Sequence, residues 1–248
     1  MITDDSLSGQ TALVTGASGG IGSALAHRLV DAGVDLVLTY ASHAADVDTL
    51  VEHAHRRGRQ ASSVHADFSD PDAPRRVADA AQDRLGHVDL LLPAAGTGTE
   101  TAWQQVTLEQ WDSAFTVNAR APFLLAQQLL PSMCRRGFGR ILLFSSIAAL
   151  NGGVIGPHYA ASKAALHGLV HYLAARVADT GVTVNALAPA LVAGTRMLPA
   201  DPDATPPLPI PVGRYGTVHE VADIAMAVLR TGYLTSKVLP VDGGLHPQ

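Results

Sequence analysis

Tyr159-Ala-Ala-Ser-Lys163 sets a phenol and an ammonium four residues apart, with the hydroxyl of Ser146 thirteen residues ahead of the tyrosine. On a helix, positions i and i+4 share a face, so these two side chains are neighbours. A phenol ionises near pH ~10, too weakly acidic for work at neutral pH unless a fixed positive charge favours the phenolate. With that charge beside it, the phenol can give up and recover a proton, which is what interconverting a carbonyl and an alcohol requires.

The chain carries a decoy of the same pattern. It has only two lysines, and Lys237 also follows a tyrosine, Tyr233, by four residues. Context separates the pairs. Residues 158–178 are rich in alanine and leucine and read as a long helix. Tyr233 instead leads into the extended run Val238-Leu-Pro-Val241, where four residues span roughly 13 Å and the two side chains cannot meet.

The elements that must position these groups alternate along the whole chain. Apolar runs predict strands at 11–15, 35–39, 61–65, 89–92, 140–144, 183–187 and 238–241, with helices near 20–32, 44–57, 72–85, 108–134, 158–179 and 217–230. Strands such as Ile141-Leu-Leu-Phe144 are apolar without alternation, as expected when both faces are covered. The pattern predicts an α/β fold, a doubly wound, seven-stranded parallel sheet with helices on both faces (Rossmann-type), in a single domain over 1–248. One stretch breaks the alternation. Pro199, Pro202, Pro206, Pro207, Pro209 and Pro211 forbid a continuous helix, and residues 196–212 read as a proline-rich substrate lid following a strand end.

Composition narrows the function classes. At 248 residues and 47% hydrophobic, the chain can bury a large core. No apolar run approaches the ~20 residues that span a bilayer, and Met-Ile-Thr-Asp-Asp is acidic rather than a basic signal region. A net charge of −5 without a basic run argues against nucleic-acid and membrane partners. The single cysteine, Cys134, excludes an intrachain disulfide and fits a reducing, cytoplasmic setting. Eleven histidines form no His-Glu-x-x-His pattern, so no metal site is expected.

Thr15-Gly16-Ala17-Ser18-Gly19-Gly20-Ile21-Gly22 lies between the first strand and the first helix. Glycines there let backbone approach a pyrophosphate seated on a helix N-terminus. The Gly-x-x-x-Gly-x-Gly spacing resembles the short-chain dehydrogenase/reductase family, and the resemblance extends over residues 9–245. Gly213-Arg-Tyr-Gly216 and Val241-Asp-Gly-Gly244 are most similar to its 3-oxoacyl-[acyl-carrier-protein] reductase branch. The resemblance implies a catalytic set of Asn118, Ser146, Tyr159 and Lys163, with Lys163 lowering the pKa of Tyr159 and Asn118 holding a water. It implies cofactor contacts from Gly16, Ser18, Gly20, Ile21 and Gly22, from Asp67 and Phe68 at the adenine, and from Ala95 and Gly96 at the ribose. Tyr159, Lys163, Pro189, Val192 and Thr195 would line the nicotinamide, and a homotetramer paired through 108–134, 158–179 and the C-terminal strand is implied as well.

Departures from the family pattern carry their own expectations. Asn-Asn-Ala-Gly is replaced by Pro93-Ala94-Ala95-Gly96, which removes two amides that brace the central sheet. Where NAD-preferring relatives place an aspartate at the end of the second strand, this chain has Tyr40, followed by Ser42 and His43. The first carboxylate after it, Asp46, is expected to lie out of reach, so NADP(H) is favoured over NAD(H), although Gly19 lacks the basic side chain of many NADP-binding relatives. The reading is an NADPH-dependent reductase that transfers hydride to a β-ketoacyl or polyketide-like ketone, free or carrier-bound, to give a secondary alcohol. An NAD-dependent secondary alcohol dehydrogenase and a non-catalytic dinucleotide-binding regulator stand as alternatives.

Overall fold

The computed structural model describes residues 7–198, 201, 204–206 and 208–246. Pro199, Pro202 and Pro207 of the expected lid lie outside them. Seven strands, β1 (Thr11–Thr15), β2 (Asp35–Tyr40), β3 (Ala61–His65), β4 (Leu90–Pro93), β5 (Gly139–Phe144), β6 (Val182–Pro189) and β7 (Val238–Val241), form one sheet in the order β3-β2-β1-β4-β5-β6-β7. Every pairing is parallel.

Side-chain alternation sorts the strands' apolar residues onto two faces. Val14, Leu36, Leu38, Leu92 and Leu142 pack with α1 (Gly20–Asp31), α2 (Ala44–Arg56) and α8 (Val218–Arg230). Leu13, Val37, Leu91, Ile141 and Val184 pack on the other face with α3 (Ala73–Leu85), α5 (Ala121–Arg136) and α7 (Pro157–Val177). Both faces are thereby dry, which explains the strands' unbroken apolar runs. The sheet order reverses between β1 and β4, so the loops at the carboxyl ends of these strands part and leave a crevice there. The β4–β5 pairing is short, with Leu90 opposite Arg140 and Leu91 opposite Ile141. Pro93 has no N–H to add to it.

The expected helix over 108–134 is three pieces. α4 (Leu108–Phe115) is followed by a π-helical turn (Thr116–Arg120) and then by α5, which runs on to Arg136. The wide turn is closed by Ala121 N–H donating to Thr116 C=O, five residues back. Asn118, buried in the middle of this turn, makes the side-chain contacts described below. α7 ends at Val177 and tightens into a 3₁₀ turn at Ala178–Thr180. A 3₁₀ turn at Trp103–Gln105 and the four-residue helix α6 (Ala148–Asn151) had no periodic signal long enough to read.

Candidate active site

The glycine-rich loop is built by close approach. Gly16 takes φ 68°, and a Cβ added there would sit 2.7 Å from Ala95 Cα. A Cβ on Gly20 would lie 2.6 Å from the Gly194 carbonyl oxygen. Ala17 N–H donates to Thr39 C=O at 2.8 Å, tying the loop to the end of β2. α1 starts at Gly20 with Gly19 as its N-cap, so no side chain covers its first-turn N–H groups. A diphosphate fits this cradle, with backbone donors and a helix dipole of the right sign. Where the family's asparagines would brace β4, Thr15 Oγ1 accepts from Ala95 N–H at 3.1 Å, a partial replacement from the neighbouring strand.

Ser146, Tyr159 and Lys163 sit at the other end of the same crevice. Tyr159 and Lys163 occupy the first turns of α7 and are both buried. Lys163 Nζ stands 5.8 Å from the centre of the Tyr159 ring and donates to the Phe144 carbonyl at 2.8 Å. Ser146, just past β5, hydrogen-bonds the Tyr159 hydroxyl and accepts from Ala148 N–H at 3.1 Å. Its neighbour Ser145 points elsewhere: Oγ donates to Lys163 C=O at 3.1 Å and meets His167 Nε2 at 2.8 Å. Tyr233, the decoy, is fully exposed in the turn before β7.

Burial governs the protonation of the pair. It pushes the Tyr159 phenol above its ordinary value, and the Ser146 hydrogen bond offsets only part of that rise. It lowers the Lys163 ammonium to about 8. Desolvation penalises the phenolate more than the Ser146 hydrogen bond favours it.

Asn118 is clamped rather than open. Its Oδ1 accepts from Thr97 N–H at 2.9 Å, and its Nδ2 donates to Thr97 C=O at 2.8 Å and to Ser162 Oγ at 3.0 Å. The amide fastens the segment after β4 to α7. A Cβ on Gly96 would lie 3.2 Å from Asn118 Oδ1 and 3.3 Å from Lys163 Nζ, so glycine keeps that segment tight against both.

A cavity of about 770 Å³ joins the two ends. Its wall includes Gly16, Ser18, Gly20, Ile21, Gly22, Ser42, Asp67, Phe68, Ala95, Gly96, Ser146, Tyr159, Lys163, Pro189, Val192 and Thr195, which are the expected site residues except two. Asn118 lies behind the wall. Tyr40 faces away: it pairs in register with His65 of β3, and the two rings meet edge-on with centroids 5.6 Å apart. Strand alternation turns Thr39 inward instead, and its buried Oγ1 has no hydrogen-bond partner among the described residues. Val154, Ile155, Met197, Leu198 and Leu208 give the cavity an apolar rim.

Two residues at the far end were not foreseen. Arg196 donates to Ser18 C=O from Nε at 3.3 Å and from Nη2 at 2.8 Å, reaches Ser42 Oγ at 3.4 Å and touches the His43 ring. Asp46, expected out of reach, meets the same guanidinium at 3.4 Å. Chain proximity could not have revealed either contact, because Arg196 is separated from these partners by 150 residues or more. Among the described residues no group of His, Cys, Asp and Glu side chains converges as metal ligands do, and no helix is long and apolar enough to cross a membrane.

Comparison with known proteins agrees with this geometry. A family model described as short chain dehydrogenase matches residues 10–205. The chain is 33% identical to a 3-oxoacyl-[acyl-carrier-protein] reductase of Synechocystis sp. over 96% of its length and 98% of that relative's. It is 32% identical to a 2-dehydro-3-deoxy-D-gluconate 5-dehydrogenase of Bacillus subtilis, covering 96% and 95% of the two chains. Among solved structures, a blue fluorescent protein from a metagenomic library in complex with NADPH superposes with a TM-score of 0.91 at 35% identity, over 98% of this chain and all of that one. The glycine cradle, the Ser-Tyr-Lys cluster and these full-length matches make the chain a member of the short-chain dehydrogenase family, an oxidoreductase.

Proposed function

We propose that this protein is an NADPH-dependent reductase that converts a ketone, β-ketoacyl or polyketide-like, to a secondary alcohol. The observation that carries the reading is the Ser146–Tyr159–Lys163 cluster on the wall of a cavity whose far end is the glycine cradle. A bound nicotinamide dinucleotide supplies the hydride. The chain's own residues handle the charge that develops on the carbonyl oxygen. Ser146 and Tyr159 present two hydroxyls to that oxygen, and Tyr159 surrenders its proton to it. The phenol is protonated at neutral pH, the form that a proton donor in the reductive direction needs. Lys163, within 5.8 Å of the ring, offsets the phenolate left behind. Asn118 positions the segment that carries Gly96 against Lys163.

At the end of β2 the cavity wall carries Thr39, Ala41 and Ser42 and no carboxylate, which supports NADP(H), as does likeness to a protein solved with NADPH. Likeness to a 3-oxoacyl-[acyl-carrier-protein] reductase, and the apolar rim, support an acyl-type ketone. The described part of residues 196–212 borders that rim and serves as the lid. A cytoplasmic homotetramer completes the reading: Trp103, Leu108, Trp111, Phe123 and Tyr172 are large, apolar and exposed on or near α4, α5 and α7. One observation favours the NAD-dependent alcohol dehydrogenase as second reading, namely Asp46 at the cofactor's expected ribose end.

The test is NADPH oxidation across a panel of β-ketoacyl thioesters, free ketones and keto sugar acids, with NADH in parallel and sedimentation of the same preparation. Turnover of an acyl ketone with NADPH is expected. Faster reaction with NADH, particularly as alcohol oxidation, would establish the second reading. Tight NADPH binding without turnover of any carbonyl would mark a regulator.

A further inference from the structure

We infer that Arg196 is the residue that reads the 2′ position of the adenosine ribose, supplying from the loop after β6 the cation that the glycine-rich loop and the end of β2 lack. The inference rests on the NADP(H) reading above and names how this chain achieves it. Gly19 offers no side chain, and the strand end contributes only Thr39, Ala41 and Ser42 to the cavity wall. Among the described residues that line the cavity, the basic side chains are Lys163 and Arg196. Lys163 is committed to the catalytic end, where it donates to Phe144. Arg196 lies at the opposite end. Its guanidinium bridges the Ser18 carbonyl on the glycine-rich loop and the Ser42 hydroxyl after β2, and those two segments flank an adenosine ribose in a doubly wound fold.

The local chain favours an anion there. His43 takes a left-handed φ of 61°, which places it as the N-cap of the thirteen-residue helix α2, and its ring bonds Ser42 Oγ at 2.8 Å. The positive end of the α2 dipole, the Ser42 hydroxyl and the planar fork of Arg196 face one small region. Asp46, in the first turn of α2, is the counterweight. It accepts from Arg196 Nη2 at 3.4 Å, steadies the guanidinium and is itself neutralised. A phosphate with nearly two negative charges outcompetes a single exposed carboxylate for that fork. Without Arg196, the carboxylate would be left to repel the phosphate. The arginine therefore acts twice, by attraction and by masking Asp46.

Binding to the full-length chain tests this without turnover. Dissociation constants for NADPH, NADH, 2′,5′-ADP and 5′-AMP are measured for the unmodified protein, Arg196→Gln, Arg196→Lys and Asp46→Asn. Arg196→Gln is expected to weaken NADPH and 2′,5′-ADP ~10- to 100-fold, the scale of lost charge-assisted hydrogen bonds, and to change NADH and 5′-AMP less than about threefold. Arg196→Lys should recover part of the loss, and Asp46→Asn should tighten the two phosphorylated ligands alone. Equal weakening of all four ligands would reduce Arg196 to a loop fastener and overturn the inference, and so would no change. The two readings fail separately. A preference of the unmodified protein for NADH overturns the NADP(H) reading, whereas the Arg196 inference stands or falls on whether the Gln variant loses the phosphorylated ligands selectively.

Discussion

Replacing Lys163 by methionine should destroy activity and yet stabilise the fold at neutral pH. The lysine is fully buried, and its value falls from 10.5 to about 8 because the charged form is desolvated. At ~1.4 kcal/mol per pH unit, holding that charge inside costs ~3 kcal/mol wherever both states are protonated, which means below about pH 8. Methionine of similar shape removes this cost but leaves the Phe144 carbonyl without its 2.8 Å donor, a loss of ~1–2 kcal/mol. The net gain at pH 7 is ~1–2 kcal/mol, or roughly 3–6 °C in Tm for a chain of this size. The sign with pH follows from the lowered value. Between about 8 and 10.5 the unfolded lysine binds a proton that the native one has released, so the unmodified protein gains stability as pH rises through this window. Urea unfolding of both proteins at one protein concentration should show the variant's advantage shrinking by ~2–3 kcal/mol between pH 7 and pH 10. A variant less stable at pH 7, or a difference that is the same at both pH values, would refute the reasoning.

Tyr159→Phe should bind cofactor normally and lower turnover at least ~100-fold, since it removes the proton donor alone; Tyr233→Phe, at a fully exposed position, should match the unmodified enzyme in the same steady-state assay. Asn118→Ala should cost ~2–4 kcal/mol in chemical denaturation, because Thr97 loses partners for both its N–H and its C=O. It should also lower kcat more than cofactor affinity, and an unchanged kcat would leave Asn118 a purely structural clamp.

The fold was legible because burial on both faces writes itself as unbroken apolar strands, and the helix carrying Tyr159 and Lys163 writes itself as alanine-rich sequence. The reach of one side chain along one helix then brought phenol and ammonium together. Contacts made between distant loops had no such signature. Arg196 meets Ser18 and Asp46 only because β6 and β1 end on the same edge of the sheet. Tyr40 was misplaced for a different reason: its position along the chain matched, but alternation in β2 gives the inward direction to Thr39. The π-helical turn escaped because widening by one residue leaves apolar periodicity nearly intact over so short a window.

That turn has a consequence beyond the amide it aims. One additional residue advances an α-helix by about 100°, so every side chain of α5 is rotated by that amount relative to α4. The direction of the Asn118 amide toward Thr97 and the direction of Phe123 toward the exterior are set by the same residue count. A deletion of one residue within 116–120 would give a more regular helix, turn the amide away from Thr97 and swing Phe123 relative to Trp111. The interior and outer surface of this helix share one phase, and neither can drift by insertion or deletion without carrying the other along.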